Sequence, residues 1–278
     1  MAKISDNVPL SLAHLSELDV PPLRLVDVAA KAGFAAVGLR TSPAAPGGVV
    51  YPISTATEQA EMRRCLADNR MKIAEVEMVP LTAALNAADY RPMMETGAAI
   101  GATRLTVGGG DTDDHAVIAD KLAAMAEQAK SFGLAVDLEF MPFRPVKSLS
   151  DALDVIRRAN HPNAHILIDV LHVFRSKSDI ALFKSIDPKK LGPVQLCDGP
   201  RQAPDDLVAE ARTRRLLPGA GELDLKSLLD MLPDGLAYGI EVPLASRRPD
   251  LDPGARLALL VKSTREFLQR RNAWASRS

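Results

Sequence analysis

Ile166-Leu167-Ile168-Asp169-Val170-Leu171-His172 is an apolar run rich in β-branched residues that ends in an acid, with a histidine three positions on. A run of that length and composition reads as a buried strand delivering polar groups from its C-terminal end. Taken alone, the same residues also suit an Asp that turns the chain and a His satisfied by a carbonyl. The design recurs, however, in Val136-Asp137-Leu138-Glu139, Val194-Gln195-Leu196-Cys197-Asp198 and Tyr238-Gly239-Ile240-Glu241-Val242. Four strands that each send a carboxylate or an amide from the same end point to one site.

Outward from these strands the chain alternates strand and helix. Residues 8–14, 35–40, 71–79 and 103–107 read as four earlier strands. Helical patterns follow them: one from Leu23 that stops at Gly33, then 56–69, 88–100 and 113–132. Helices 148–159, 178–186, 224–231 and 253–271 follow the later strands. Eight strand-then-helix units with apolar strands are the pattern of a parallel sheet covered by helices, and eight close naturally into a (β/α)8 TIM barrel. We therefore expect an α/β chain with a single domain over residues 1–278. An open doubly wound sheet is the alternative. Gly108-Gly109-Gly110 lacks the spacing and the early position of a dinucleotide fingerprint, so it reads as a permissive loop.

Composition narrows the classes of function. A hydrophobic fraction of 47% and a charged fraction of 25% are those of a chain that can bury a large core. A formal net charge of -1 gives no general attraction for nucleic acid or an anionic membrane. No apolar run approaches a membrane span, and no basic-then-apolar leader opens the sequence, so a cytoplasmic protein is expected. Cys65 falls in a helical pattern and Cys197 at a strand end, which argues against a disulfide between them.

Strand periodicity turns Glu139, Asp169, Gln195 and Glu241 toward the barrel axis at the C-terminal rim, where barrel enzymes work. Carboxylates converging there repel unless a cation lies among them. An all-oxygen shell of Glu139, Asp169, Gln195 and Glu241 suits one divalent ion, Mn2+ or Mg2+, better than zinc. The alternative for single members is a rim ion pair with Arg144, Arg175 or Arg201. Arginines also hint at an anionic substrate. Arg201 is the favoured contact, whereas Arg212, Arg214 and Arg215 fall in a polar stretch, 204–215, that reads as a solvated helix. Arg40, Glu75, Glu77 and His14 are further candidates for the rim. The connection 200–222 suits a lid or an oligomer contact.

These strand-end residues, in this order and spacing, resemble the xylose isomerase-like barrels grouped as sugar phosphate isomerases/epimerases. That group includes ketose 3-epimerases, inosose isomerases and dehydratases, and 3-dehydroshikimate dehydratases. The resemblance implies metal ligation by Glu139, by the Asp169 of an Asp-x-x-His motif ending at His172, and by Glu241. It implies a substrate contact at Arg201, six residues after the third ligand, and it extends to Pro218-Gly219-Ala220-Gly221-Glu222. Two positions depart from the epimerases: Gln195 stands where most members carry His, and Pro145 stands where they carry a glutamate. Gln195, together with Val-Gln-Leu-Cys-Asp-Gly-Pro-Arg, is more similar to the dehydroshikimate dehydratase branch.

The function expected is a divalent-metal-dependent isomerase or epimerase of a sugar, ketose or keto-cyclitol, acting through an enediolate with Glu139 or Glu241 as base. His172 contacts substrate, donating to an oxygen or protonating a leaving hydroxyl. The first alternative is a carbon–oxygen lyase that dehydrates a cyclic hydroxyketone such as 3-dehydroshikimate, and the second is a non-catalytic sugar-binding barrel. The partner in each case is a small sugar, keto-polyol or keto-acid, with neither nucleic acid nor membrane, in a chain that can form a homo-oligomer.

Overall fold

In a computed structural model, which describes residues 4, 5 and 7–275, the eight strands form one closed parallel barrel in sequence order. They are β1 (Leu10–Leu12), β2 (Ala36–Arg40), β3 (Lys72–Pro80), β4 (Arg104–Gly108), β5 (Ala135–Glu139), β6 (Ala164–Asp169), β7 (Leu191–Leu196) and β8 (Tyr238–Ile240). β8 pairs back onto β1, with Ser11 opposite Gly239, and this closure excludes the open-sheet alternative. Helices α1 (Pro22–Ala32), α2 (Ala56–Asn69), α3 (Arg91–Ala99), α4 (His115–Lys130) and α5 (Leu149–Ala159) cover the first five strands. Around the rest lie α6 (Val170–Arg175), α7 (Leu207–Ala209), α8 (Leu225–Met231) and α9 (Pro253–Ala275). Among the described residues, no helix is long and apolar enough to cross a membrane, and Cys65 and Cys197 are both free thiols.

Local chemistry sets the boundaries. α1 ends at Gly33, whose φ of 99° is the left-handed conformation that a side chain would resist. α2 opens with a capping box in which Thr55 and Glu58 satisfy each other's backbone N–H groups. Outward strand residues such as Val37, Val76, Leu105 and Val136 are fully buried beneath the helices.

The inward residues are different in kind. Low in the barrel, Glu75 accepts from Thr106 and, at 3.4 Å, from the amide nitrogen of Gln195. Small residues surround them: a Cβ on Gly38 would lie 3.1 Å from Glu75, and one on Gly239 2.9 Å from Ser11. The result is a hollow of about 720 Å³ at the N-terminal face, reached by Ser11, Glu75, Arg104, Gln195 and Gly239. One layer higher, by the two-residue period, stand Arg40, Glu77, Glu139, Asp169 and Glu241.

Three expected elements differ. After β6 the helix begins at once as α6, because the Asp169 carboxylate accepts the backbone N–H of His172 at 3.0 Å and caps it. The expected helix 178–186 is a 3-10 turn, Ile180–Ser185. The solvated helix expected over 204–215 is three residues of α7 running into a wide π-type turn, Glu210–Arg214. Glu210 and Arg215 are buried there, and each is paired with a charge that sequence spacing does not reveal.

Arg104 clasps Asp137, on the neighbouring strand, with two of its nitrogens, and Asp137 is fully buried. Arg104 keeps 27% of its side chain exposed, so losing Asp137 leaves a partly solvated cation, at a cost of about 1.5–3 kcal/mol. Asp137→Ala is therefore expected to lower the urea unfolding free energy by about that amount, and a loss under about 1 kcal/mol would show that the clasp does not hold the barrel.

Candidate metal centre and active site

Strand ends build the site from opposite sides. Glu139 closes β5, Asp169 closes β6, and Glu241 follows β8 directly; each is at most 6% exposed. The cap that starts α6 turns His172 back toward β5, so its Nε2 lies 3.6 Å from Glu139 Oε1. Phe143 packs edge-on against the imidazole, with ring centroids 5.5 Å apart. Ligand atoms of Glu139, Asp169 and His172 all lie within 4.8 Å of one another, which is the spacing of a shared cation.

The opposite edge of the cluster is closed by a residue that the sequence reading sends to solvent. Arg215 is 1% exposed. Its NH1 meets Asp169 Oδ2 at 2.5 Å, its NH2 meets Glu241 Oε2 at 2.8 Å, and its Nε donates to the Ala211 carbonyl at 2.7 Å. Asp198 accounts for its delivery. That carboxylate accepts the backbone N–H groups of Gly199, Gly219, Gly221 and Leu223, gathering both arms of the β7–α8 connection. Residues 198 and 216 also exchange two backbone hydrogen bonds at 2.8 Å, which fixes Arg215 one residue from the clasp. Gly221 has to lack a side chain, because a Cβ there would collide with Asp198 and the Gly199 carbonyl. The signal in the sequence was an acid directly after a strand, followed by Pro218-Gly219-Ala220-Gly221.

Arg201, the expected substrate contact, is not brought to the cluster. Its side chain is 82% exposed and lies 3.9 Å from Glu222, because the chain leaves the barrel at Pro200 before Asp198 draws it back. Arg175 is equally unavailable, held by both oxygens of Glu210 and by the Pro200 carbonyl.

The buried charges do not balance. Carboxylates of Glu75, Glu77, Glu139, Asp169 and Glu241 outnumber the guanidiniums of Arg40 and Arg215 around them. Burial, then the charges of Glu241 and Asp169, pushes the Glu139 carboxyl well above its ordinary range. Burial lifts Glu75 to about 8 and, against the pull of Arg215, Glu241 to about 8. Asp169 is the exception: Arg215 and His172 outweigh its burial and hold it down at about 2. His172 is driven down to about 4 by burial, so it is neutral near pH 7.

Such a cluster fits a divalent cation. Its surplus is negative and its donors are hard oxygens with one imidazole nearby. Gln195, expected as a ligand, pairs with Asp169 in the sheet, but its amide nitrogen donates to Glu75 in the lower layer, while its Oε1 is buried with no hydrogen-bond partner. His172 Nδ1 is buried and unpartnered in the same way.

Comparison with known proteins agrees with this architecture. Residues 26–267 match the family described as xylose isomerase-like TIM barrel, and the chain belongs to that family. Within it, the chain is 31% identical over 170 residues to a 3-dehydroshikimate dehydratase of Pseudomonas aeruginosa, covering 56% of this chain and 26% of that enzyme. It is 29% identical over 133 residues to the 3-dehydroshikimate dehydratase of Pseudomonas putida, covering 48% of this chain and 20% of that one. The chain thus spans about a quarter of the length of the relatives it matches. Among solved structures, a xylose isomerase-like TIM barrel/4-hydroxyphenylpyruvate dioxygenase fusion protein superposes with a TM-score of 0.79 at 20% identity, over 98% of this chain and 44% of that one. The IolI protein, solved with a bound zinc atom, superposes with a TM-score of 0.78 at 18% identity, over 95% of this chain and 99% of that one.

Two outcomes follow from the charge balance and the clasp. With the metal chelated, the folded protein retains protons on Glu139 and Glu241 that the unfolded chain has released. Stability is therefore full below the ordinary carboxylate range near 4.5 and is lost as pH rises toward about 8. Thermal melts in chelator are expected to fall between about pH 6 and 8, and a divalent ion to raise them most at the upper end. Melts indifferent to Mn2+, Mg2+ and Zn2+ at every pH would rule out a cation site. Asp198→Ala strands four backbone donors, so it is expected to cost about 1–3 kcal/mol in urea unfolding and to release Arg215. Unchanged proteolysis of the 199–222 connection in that variant would contradict the clasp.

Proposed function

We propose that the chain is a divalent-metal-dependent carbon–oxygen lyase that dehydrates a cyclic hydroxyketone of the 3-dehydroshikimate type. The carrying observation is the buried group of Glu139, Asp169 and His172, with Arg215 joining Asp169 to Glu241. Its likeness to two 3-dehydroshikimate dehydratases supports that reaction over others. Glu139, Asp169, Gln195 and Glu241 would hold the ion, whether Mn2+, Mg2+ or the zinc seen in IolI. Once bound, the ion would polarise the substrate carbonyl and acidify the neighbouring C–H bond.

The remaining work falls to the chain's own side chains. Glu241, held by Arg215 at 2.8 Å and pushed up in pKa by burial, is a base matched to a weak carbon acid. It takes the proton from carbon, and the electron pair forms the new double bond as the β-hydroxyl departs. His172 supplies that hydroxyl with its proton, so the group leaves as water. Burial keeps His172 neutral at rest, so the acid is its minor imidazolium form, which Glu139 partners at 3.6 Å and which gives up its proton readily, returning to the neutral form that burial favours. Phe143, edge-on against the ring, shields the imidazole side.

One observation sustains a second reading, the isomerase or epimerase. Glu139 and Glu241 rise from β5 and β8, opposite sides of the site, which is the arrangement two bases need to remove a proton from one face and return it to the other. Incubation with Mn2+ and a panel of ketoses, keto-cyclitols and 3-dehydroshikimate decides between them. Dehydration creates an absorbing aromatic product, and epimerisation does not. Glu241→Gln is expected to cut turnover by about 10²–10⁴-fold while circular dichroism is unchanged. Near-normal turnover in that variant would refute the role of Glu241.

A further inference from the structure

We infer that Arg40 anchors a carboxylate of the substrate, so that the site selects an organic acid over a neutral sugar. This rests on the lyase reading above and adds to it the group that recognises the substrate's charge.

Three other guanidiniums of the barrel are already committed. Arg215 is closed by Asp169, Glu241 and the Ala211 carbonyl, Arg175 by Glu210 and Pro200, and Arg104 by Asp137. Arg40 differs from all three. It ends β2 in register with Glu77, one layer above Gly38 and on the same inward face, and it is 5% exposed. Among the described residues its side chain donates no hydrogen bond, and its Nε is buried without a partner. Its nearest acid, Glu77, stands 3.5 Å away, and the Glu77 oxygen facing it is itself buried and unpartnered. That carboxylate lies near enough to Glu139 and Glu241 to raise both, so Arg40 borders the same chamber.

The backbone beneath Arg40 is fully engaged. Its N–H donates to His14 Nδ1 at 2.8 Å and its carbonyl accepts from the Tyr51 N–H at 2.9 Å, while the His14 and Tyr51 rings stack at 5.3 Å. A rigid strand end thus presents a guanidinium with donors unspent. Leaving a buried charged donor unbonded is costly, and a carboxylate matches its planar fork with two parallel bonds. A monoanion also suits the place better than a phosphate dianion, which would face Glu77, Glu139 and Glu241 together.

The test uses 3,4-dihydroxybenzoate and its neutral isostere 3,4-dihydroxybenzamide, titrated by calorimetry into the full chain in one Mn2+ buffer. Wild type is expected to bind the acid about 10- to 100-fold more tightly, as for a hydrogen-bonded charge. Arg40→Met is expected to bind both alike, and Arg40→Lys to keep part of the preference. Where Arg40→Met alone fails to fold, the Arg40→Met/Glu77→Gln double variant removes the unpaired acid and gives the same readout. Equal binding by wild type, no binding of either compound, or a preference that survives Arg40→Met would overturn the inference. Arg40-dependent binding of the acid without turnover of 3-dehydroshikimate would leave the anchor standing and overturn the lyase. Turnover with no discrimination between the two compounds would overturn the anchor alone.

Discussion

Negative charge packed where water cannot reach it is the constraint on which the rest of this barrel depends. A buried carboxylate is stable only if it is protonated, paired or bound to a cation. The upper chamber uses all three solutions. Asp169 is paired with Arg215, Glu139 and Glu241 lean toward the protonated form, and Glu139, Asp169 and His172 have the donors and spacing of a cation site. A chamber stabilised so unevenly is suited to moving protons, because its members differ in their hold on them.

Much of this was legible in the sequence, and the reason is periodicity. Ile166–Asp169 and its counterparts combine an apolar outward face with a polar terminal residue, and a two-residue period leaves no choice about where that residue points. The strand order, the closure and the gathering of Glu139, Asp169 and Glu241 follow from repeating that pattern around a ring. Arg215 was not legible, since nothing in Arg212-Thr213-Arg214-Arg215 distinguishes the last residue from its three solvated neighbours. Its fate is decided by Asp198, a contact between distant parts of a loop, to which no local period applies. Arg201 failed for the complementary reason: counting residues from a strand end does not follow a chain that turns outward first.

The two inward arginines of the upper layer illustrate how environment separates identical side chains. Arg215 arrives from a connection and is consumed by acids already present, so it serves the architecture of the cluster. Arg40 grows from the sheet itself, where its strand fixes its backbone but supplies only a distant acid. The difference lies in what each meets on arrival, since both are nearly inaccessible.

The barrel is also a sleeve whose apolar mass lies between strands and helices, while its lumen is lined by glycine, serine, threonine and charge. Divergence among descendants of this chain should therefore run at two tempos. Outward strand positions can drift freely among aliphatic residues of similar bulk. Lumen positions can change only in concert, Arg104 with Asp137, Arg40 with Glu77, and Arg215 with Asp169 and Glu241, so their histories should be coupled where those of the outer shell are independent.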